Sequence, residues 1–207
     1  MGYALASLGD LFEAQAKLPE ARQKRMESLK IRTEIGDKDE LANSRIALAQ
    51  SSMEEGHPAE AVEPLRQAVA DLKELKSEDD EALAYPVLAR ALLRAGNPAD
   101  ALKAMESGAG VASKSRNRIV QIAFAIADAQ AKAANGRVAP ATESLTRIIA
   151  ETKESGFLGY ELEARLALAE VQSGPAKTTA SPARVAALEK DARAKDFLLI
   201  AHKAGSL

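Results

Sequence analysis

Apolar residues along this chain fall at the spacing of helix faces, and glycine and proline fall between them. In DELANSRIALAQSSMEEG (39–56) the larger apolar residues are Leu41, Ile46, Leu48 and Met53. Gly56 ends that stretch, because glycine adopts a left-handed helix C-terminus without strain. Pro58 suits the first turn of a new helix, where its missing N–H costs nothing. From about Pro58 to about Leu75, Ala61, Leu65, Ala68, Val69 and Leu72 share one stripe. The pattern predicts two helices joined by a tight turn. Glu78, Asp79, Asp80 and Glu81 open the next helix, where we expect a solvated acidic cap favoured by the helix dipole.

This plan returns every 40 residues. Gly9, Ala49, Ala89, Ala129 and Ala169 occupy one column, since 49 − 9 = 40 and each later step is equal. Leu8, Leu48, Leu88 and Leu168 precede them, with Asp128 as the exception. Ala16, Gly56, Gly96 and Gly136 form a turn column, and Ala21, Ala61, Ala101 and Ala141 a second small-residue column. Small residues fit where two helices cross closely, and larger ones fill the gap where they diverge. The small columns read as the close contacts. Leu8/Leu48/Leu88/Leu168 and Leu65/Met105/Leu145 read as fillers. A periodic chain of this kind is a stack of like units, each burying its apolar face on its neighbours.

We therefore expect a single solenoid over 1–207, with units at about 1–40, 41–80, 81–120, 121–160 and 161–207. The last unit is irregular. A helix from about Gly159 to Gln172 is followed by a polar loop, SGPAKTTAS. Ser181 then reads as an N-cap, PARVAALEKDARA as a helix, and DFLLIAHKA as an apolar cap over the far end.

Some positions break the plan. Arg25 stands in the filler column of the first unit; we expect its head in water above an apolar stem, or a distorted end unit. Asp128 predicts a rotated helix that buries Ile119, Ile122, Ile126, Ala129 and Ala133 instead. Pro64 and Pro86 should bend their helices or delay their starts. Gly108-Ala109-Gly110 reads as a frayed helix end, because it lacks the remaining glycines and the Lys-Ser/Thr pair of a phosphate loop.

Composition narrows the function. Hydrophobic residues make up 46% of 207, but aromatics only 3% with no Trp, which suits close helix packing. Basic and acidic residues number 28 and 30, for a net charge of −2. The basic excess usual in nucleic-acid modules is missing, so no nucleic-acid partner is expected. There is no cysteine, which rules out disulfides and thiolate metal sites. The only histidines, His57 and His202, stand apart in the sequence, and no metal site, cofactor or catalytic residue is expected. No apolar run approaches the ~20 residues of a membrane span. MGYALASLGDLFEAQ lacks a basic region before an apolar core, so it does not read as a signal peptide, and we expect a cytoplasmic chain without a membrane partner. Helical pattern begins almost at the first residue without a cap. That leads us to expect a segment of a longer protein.

The motifs LGDLFEAQAKLPEA, LAQSSMEEGHPAEA and LARALLRAGNPADA resemble the tetratricopeptide repeat (TPR). Its usual unit is 34 residues. The longer unit here, with SLKIRTEIGDK ending the first, is similar to the long-helix variants of bacterial signalling proteins and kinesin-type light chains. LEKDARAKDFLLIAHKA resembles the C-terminal end of arrays in large bacterial regulators and receptor-like Ser/Thr kinases. The resemblance implies an all-α, right-handed TPR-like superhelical solenoid of five helix-turn-helix units plus a C-terminal helical cap.

It also implies a concave groove lined by Asp10, Glu13, Asn43, Gln50, Met53, Glu54, Arg90, Leu93, Arg94, Gln130 and Glu170. Gln50, Arg90, Gln130 and Glu170 should form a polar ladder along it. Amides hydrogen-bond a peptide backbone, and arginine forks onto a carboxylate. The ladder does not match the carboxylate clamp of arrays that grip chaperone tails. Two functions follow: a non-enzymatic scaffold that takes a partner's peptide or helix in the groove, or a regulatory or oligomerisation segment of a larger bacterial signalling protein, a kinase or transcriptional regulator, with no peptide ligand of its own and a homodimer contact through exposed array ends around Tyr3, Leu5 and Leu8.

Overall fold

Helical hairpins form wherever the pattern places them. In the computed structural model, which describes residues 1–173 and 181–207, α1 (Gly2–Ala14) pairs with α2 (Leu18–Ile35) and α3 (Lys38–Glu54) with α4 (Pro58–Leu75). Likewise α5 (Glu78–Arg94) pairs with α6 (Pro98–Ala112), and α7 (Arg118–Ala134) with α8 (Val138–Glu154). Then come α9 (Leu158–Ser173), α10 (Pro182–Ala194) and α11 (Leu198–Gly205). Residues 174–180 of the expected polar loop lie outside the described residues. Among the described residues all regular structure is helical, and the first helices of successive hairpins pack on one another. The chain is an all-α TPR-like solenoid.

The turns explain the hairpin repeat. Gly56, Gly96 and Gly136 take φ values of +92°, +79° and +85°. Ala16, in the same column, is held at φ +57°, a conformation that costs an L-residue about 1–2 kcal/mol. Both small columns are buried in every unit where they occur. Leu65, Met105 and Leu145 fill the gaps between them.

The Leu column departs from its expected role as buried filler. Leu88 is buried, but Leu8 is 41% exposed and Leu48 and Leu168 are only half-buried. This column lies at the rim of the helix interface. That is why Asp128 is tolerated without rotating α7: it stays part-exposed and meets Lys132 Nζ at 2.6 Å. Ile122, Ile126 and Ala129 are buried as expected, but Val120 is buried in place of Ile119, which is 37% exposed, and Ala133 is half-buried.

Arg25 is corrected most sharply. Its head is not in water: the residue is 2% exposed. The guanidinium donates to Glu13, to Asp10 at 2.9 Å and to Ser51 Oγ at 2.8 Å. Gly9 makes room, since a Cβ there would sit 2.9 Å from the Arg25 stem. A second buried guanidinium, Arg32, pairs with Glu40 and donates to Ser44 Oγ at 2.8 Å. The first two hairpins are therefore joined by ionic groups where later ones use leucine and methionine. A buried charge is tolerated only with such partners.

Three smaller expectations also change. Neither Pro64 nor Pro86 delays a helix; α4 and α5 run through them. Gly108 is inside α6 rather than at a frayed end. A Cβ on it would come within 2.5 Å of the Tyr85 ring and 2.9 Å of Phe124, so α6 approaches α5 and α7 too closely for a side chain. Within the acidic run, Glu81 is buried rather than solvated. It lies beside Tyr85, whose phenol is pushed up by burial and then by Glu81.

Two stability measurements check these assignments. Ala101→Leu should overpack the α5–α6 crossing and lose about 1–3 kcal/mol in urea denaturation. Ala16→Gly should gain about 1 kcal/mol by relieving the left-handed alanine. An unchanged midpoint in either case contradicts the corresponding contact.

Candidate functional site

Because α1, α3, α5, α7 and α9 repeat one orientation, equivalent faces turn toward a common centre. The central cavity holds about 890 Å³. It is not an open groove along its whole length. The C-terminal helix α11 packs on α9 and α10 and also reaches α1, so the last element of the array meets the first. Phe197, Ile200 and Lys203 of this segment enter the cavity wall. The expected cap over the far end thus also closes the curve.

The closing contact centres on one carboxylate. Glu54, at the end of α3, receives Lys203 Nζ at 2.8 Å. It also receives a forked contact from Arg94, with Nη1 at 3.1 Å and Nη2 at 3.4 Å. Arg94 donates in addition to the Met53 carbonyl at 3.2 Å. Burial opposes ionisation of Glu54, but Lys203 and Arg94 outweigh it and hold its carboxyl below the ordinary value of 4.5. Three segments distant in sequence converge on one part-buried acid.

The ladder residues lie beside this cluster, Gln50 and Arg90 one turn before Glu54 and Arg94 on the same helices. Gln50, Arg90, Gln130 and Glu170 all face the cavity, as do Met53 and Leu93. Gln130 Nε2 donates to Glu170 Oε2 at 2.9 Å, while Gln130 Oε1 is buried without a donor. Burial raises the Glu170 carboxyl, opposed by the Gln130 hydrogen bond and by the charges of Lys203, Arg94 and Arg90. Arg90 makes a looser pair with Glu163 at 3.5 Å. Asp10 and Glu13 also face the cavity, but Arg25 engages both.

Asn43 is elsewhere. Its Nδ2 donates to Asp80 Oδ2 at 3.1 Å, a contact between successive hairpins, and it is absent from the cavity wall. Sequence reasoning missed Glu163, Phe197, Ile200 and Lys203. Glu163 stands on α9 about two turns before the ladder position Glu170, so a heptad-like reading of that helix would have found it. The other three belong to a segment outside the 40-residue period, and only the closed curve brings them here.

Among the described residues no group of three or more His, Asp or Glu is placed to hold a metal ion, and no helix is long and apolar enough to cross a membrane. No protein-family model and no curated protein matches the chain. Solved structures do. The fold is similar to that of a Podosopora anserina putative kinesin light chain with nearly identical TPR-like repeats, at TM-score 0.58 and 21% identity over 93% of this chain and 93% of that one. A second crystal structure of that protein gives the same TM-score and identity. The fold is also similar to a Rap protein complexed with competence and sporulation factor, at TM-score 0.66 and 16% identity over 97% of this chain. This chain spans 60% of that Rap protein.

The closure has a measurable signature. Lys203→Met should raise amide exchange across α11 while helicity is kept, with a loss of about 1–3 kcal/mol for a hydrogen bond to a charged group. The exposed control Lys190→Met should not. Acid should act in the same way. The folded Glu54 carboxyl titrates below its unfolded value, so its contribution is complete above pH 4.5 and is lost as pH falls through the depressed value. Exchange in α11 should therefore rise below that range in wild type, and equal α11 exchange in wild type and Lys203→Met overturns the contact.

Proposed function

We propose that the chain is a protein-interaction scaffold whose central cavity takes a short peptide segment of a partner. The carrying observation is the convergence of a polar ladder and an apolar wall on one cavity of about 890 Å³. Sites of this size, mostly apolar with a few placed polar groups, are the usual form of a binding pocket. The Rap neighbour is a complex with competence and sporulation factor, which supports a ligand-binding role for such an array. Arg94 is already forked onto Glu54, so of the two cavity arginines Arg90 is the freer to meet a ligand.

A second reading rests on a separate surface. Tyr3, Leu8 and Leu11 of α1 are 68%, 41% and 51% exposed, an apolar face that a second copy of the chain would cover. Sedimentation over a range of concentrations tests it: dimers that Leu8→Glu with Leu11→Glu dissociates support it, and a monomer at high concentration counts against it.

The cavity reading is tested by panning a random dodecapeptide display library against the chain. Binders should weaken at least about tenfold, or 1.4 kcal/mol, on Leu93→Glu at the cavity wall. They should be unaffected by Arg147→Glu on the exposed face of α8. Binders indifferent to Leu93→Glu, or no binders at all, overturn it.

A further inference from the structure

The charges of the cavity wall are mostly paired with one another, and the pairing leaves a remainder. Arg94 and Lys203 meet Glu54, Arg90 meets Glu163, and Arg25 meets Asp10 and Glu13. Among the described residues Glu170 is the one cavity carboxylate without an ion pair. Its single hydrogen bond comes from Gln130 Nε2. Gln130 in turn has no donor for its own Oε1. The Gln130–Glu170 pair therefore holds more acceptors than the protein supplies donors for. Partly buried acceptors without donors are costly and rare in folded chains.

The surroundings of the pair define what would satisfy it. Ile126, Leu166 and Val171 stand in the same wall. Val171 is half-buried and leaves apolar surface beside the acceptors, whereas Ile126 and Leu166 are buried. A ligand with an aliphatic stem and a cationic donor head matches both parts: the stem lies on the apolar wall and the head meets the acceptors. A planar guanidinium presents several N–H groups in one fork, so it meets the Glu170 carboxylate in two parallel hydrogen bonds, while Gln130 holds that carboxylate in place through its own hydrogen bond.

We propose that the Gln130–Glu170 pair is a subsite for a basic side chain of a bound peptide, arginine above all. The inference rests on the cavity reading given above. The raised Glu170 carboxyl agrees with it, because burial disfavours its ionised form and a directly contacting cation from a ligand would restore it. Arg90, Arg94 and Lys203 face Glu170 without contacting it, and their existing pairs with Glu163 and Glu54 hold them in place.

The test uses the full chain and three blocked tripeptides that differ at one residue: acetyl-Ala-Arg-Ala-amide, its norleucine analogue and its glutamate analogue. Nuclear magnetic resonance titration follows the Gln130 side-chain amide and the Glu170 carboxyl carbon. Free guanidinium chloride at low concentration serves as an arm for a small cation without a peptide. We expect the arginine peptide to shift both signals, to lower the pH at which Glu170 titrates, and to bind about tenfold more weakly to Glu170→Gln. That variant keeps the hydrogen-bonding shape, and its thermal midpoint reports that it folds.

Equal or tighter binding of the norleucine or glutamate peptide overturns the subsite and leaves the cavity reading standing. Unchanged arginine binding in folded Glu170→Gln overturns the subsite as well. Binding of guanidinium alone, with no gain from the peptide, overturns the peptide source. If none of the probes binds and the display library also yields no cavity-dependent binder, both readings fall together.

Discussion

The architecture depends on the close crossing of helices at alanine. Where Ala61, Ala101 and Ala141 sit against Ala49, Ala89 and Ala129, no side chain holds the backbones apart. Each of these hairpins therefore closes on the same kind of small-residue contact. Leu65, Met105 and Leu145 fill the space that opens beside each crossing. Curvature is thus a property of repeated contact geometry rather than of any one loop. It carries α11 back to α1 and sets Lys203 against Glu54 at the end of α3.

That return changes what the inner face is. An open array offers a long trough, and its polar residues face water until a ligand arrives. Here the inner residues face one another, so most acids have found bases and one amide–acid pair has found only itself. Binding at such a face is an exchange of partners more than an addition of contacts, and its selectivity comes from which internal pairs a ligand is able to replace. Arg90, at 3.5 Å from Glu163, is loosely engaged and exchanges more readily than Arg94, which is fixed at both ends of its guanidinium.

Much of the fold was legible in the sequence because it is local and repeated. The bounds of α4 and α10 follow from Pro58, Leu75, Pro182 and Ala194, where proline starts and polar residues stop each stripe. The left-handed turns follow from the glycine column. Burial of charge was not legible: Arg25 in a filler column suggested an exposed head, because the period says where a residue points and not what waits for it there. Glu13, Asp10 and Ser51 come from two other helices and share no simple spacing with Arg25. The Leu column misled for the opposite reason. Its residues share a spacing with the core, yet all but Leu88 lie at its rim. For the site, the ladder at intervals of 40 was visible, but Lys203 pairs with a residue 149 positions away, and no period connects them. Asn43 resembled a groove residue by position on its helix, whereas its amide serves the seam with Asp80.

The contact between Glu54 and Lys203 also sets a rule for the length of the array. In an open stack, duplication of one hairpin adds a rung and disturbs only its neighbours. In this chain the same event anywhere between residues 54 and 203 would carry the two ends past each other and strip Glu54 of one of its cations. Deletion of a hairpin would leave them short. The number of units is therefore tied to the curvature, and a change in one has to be matched by a change in the other.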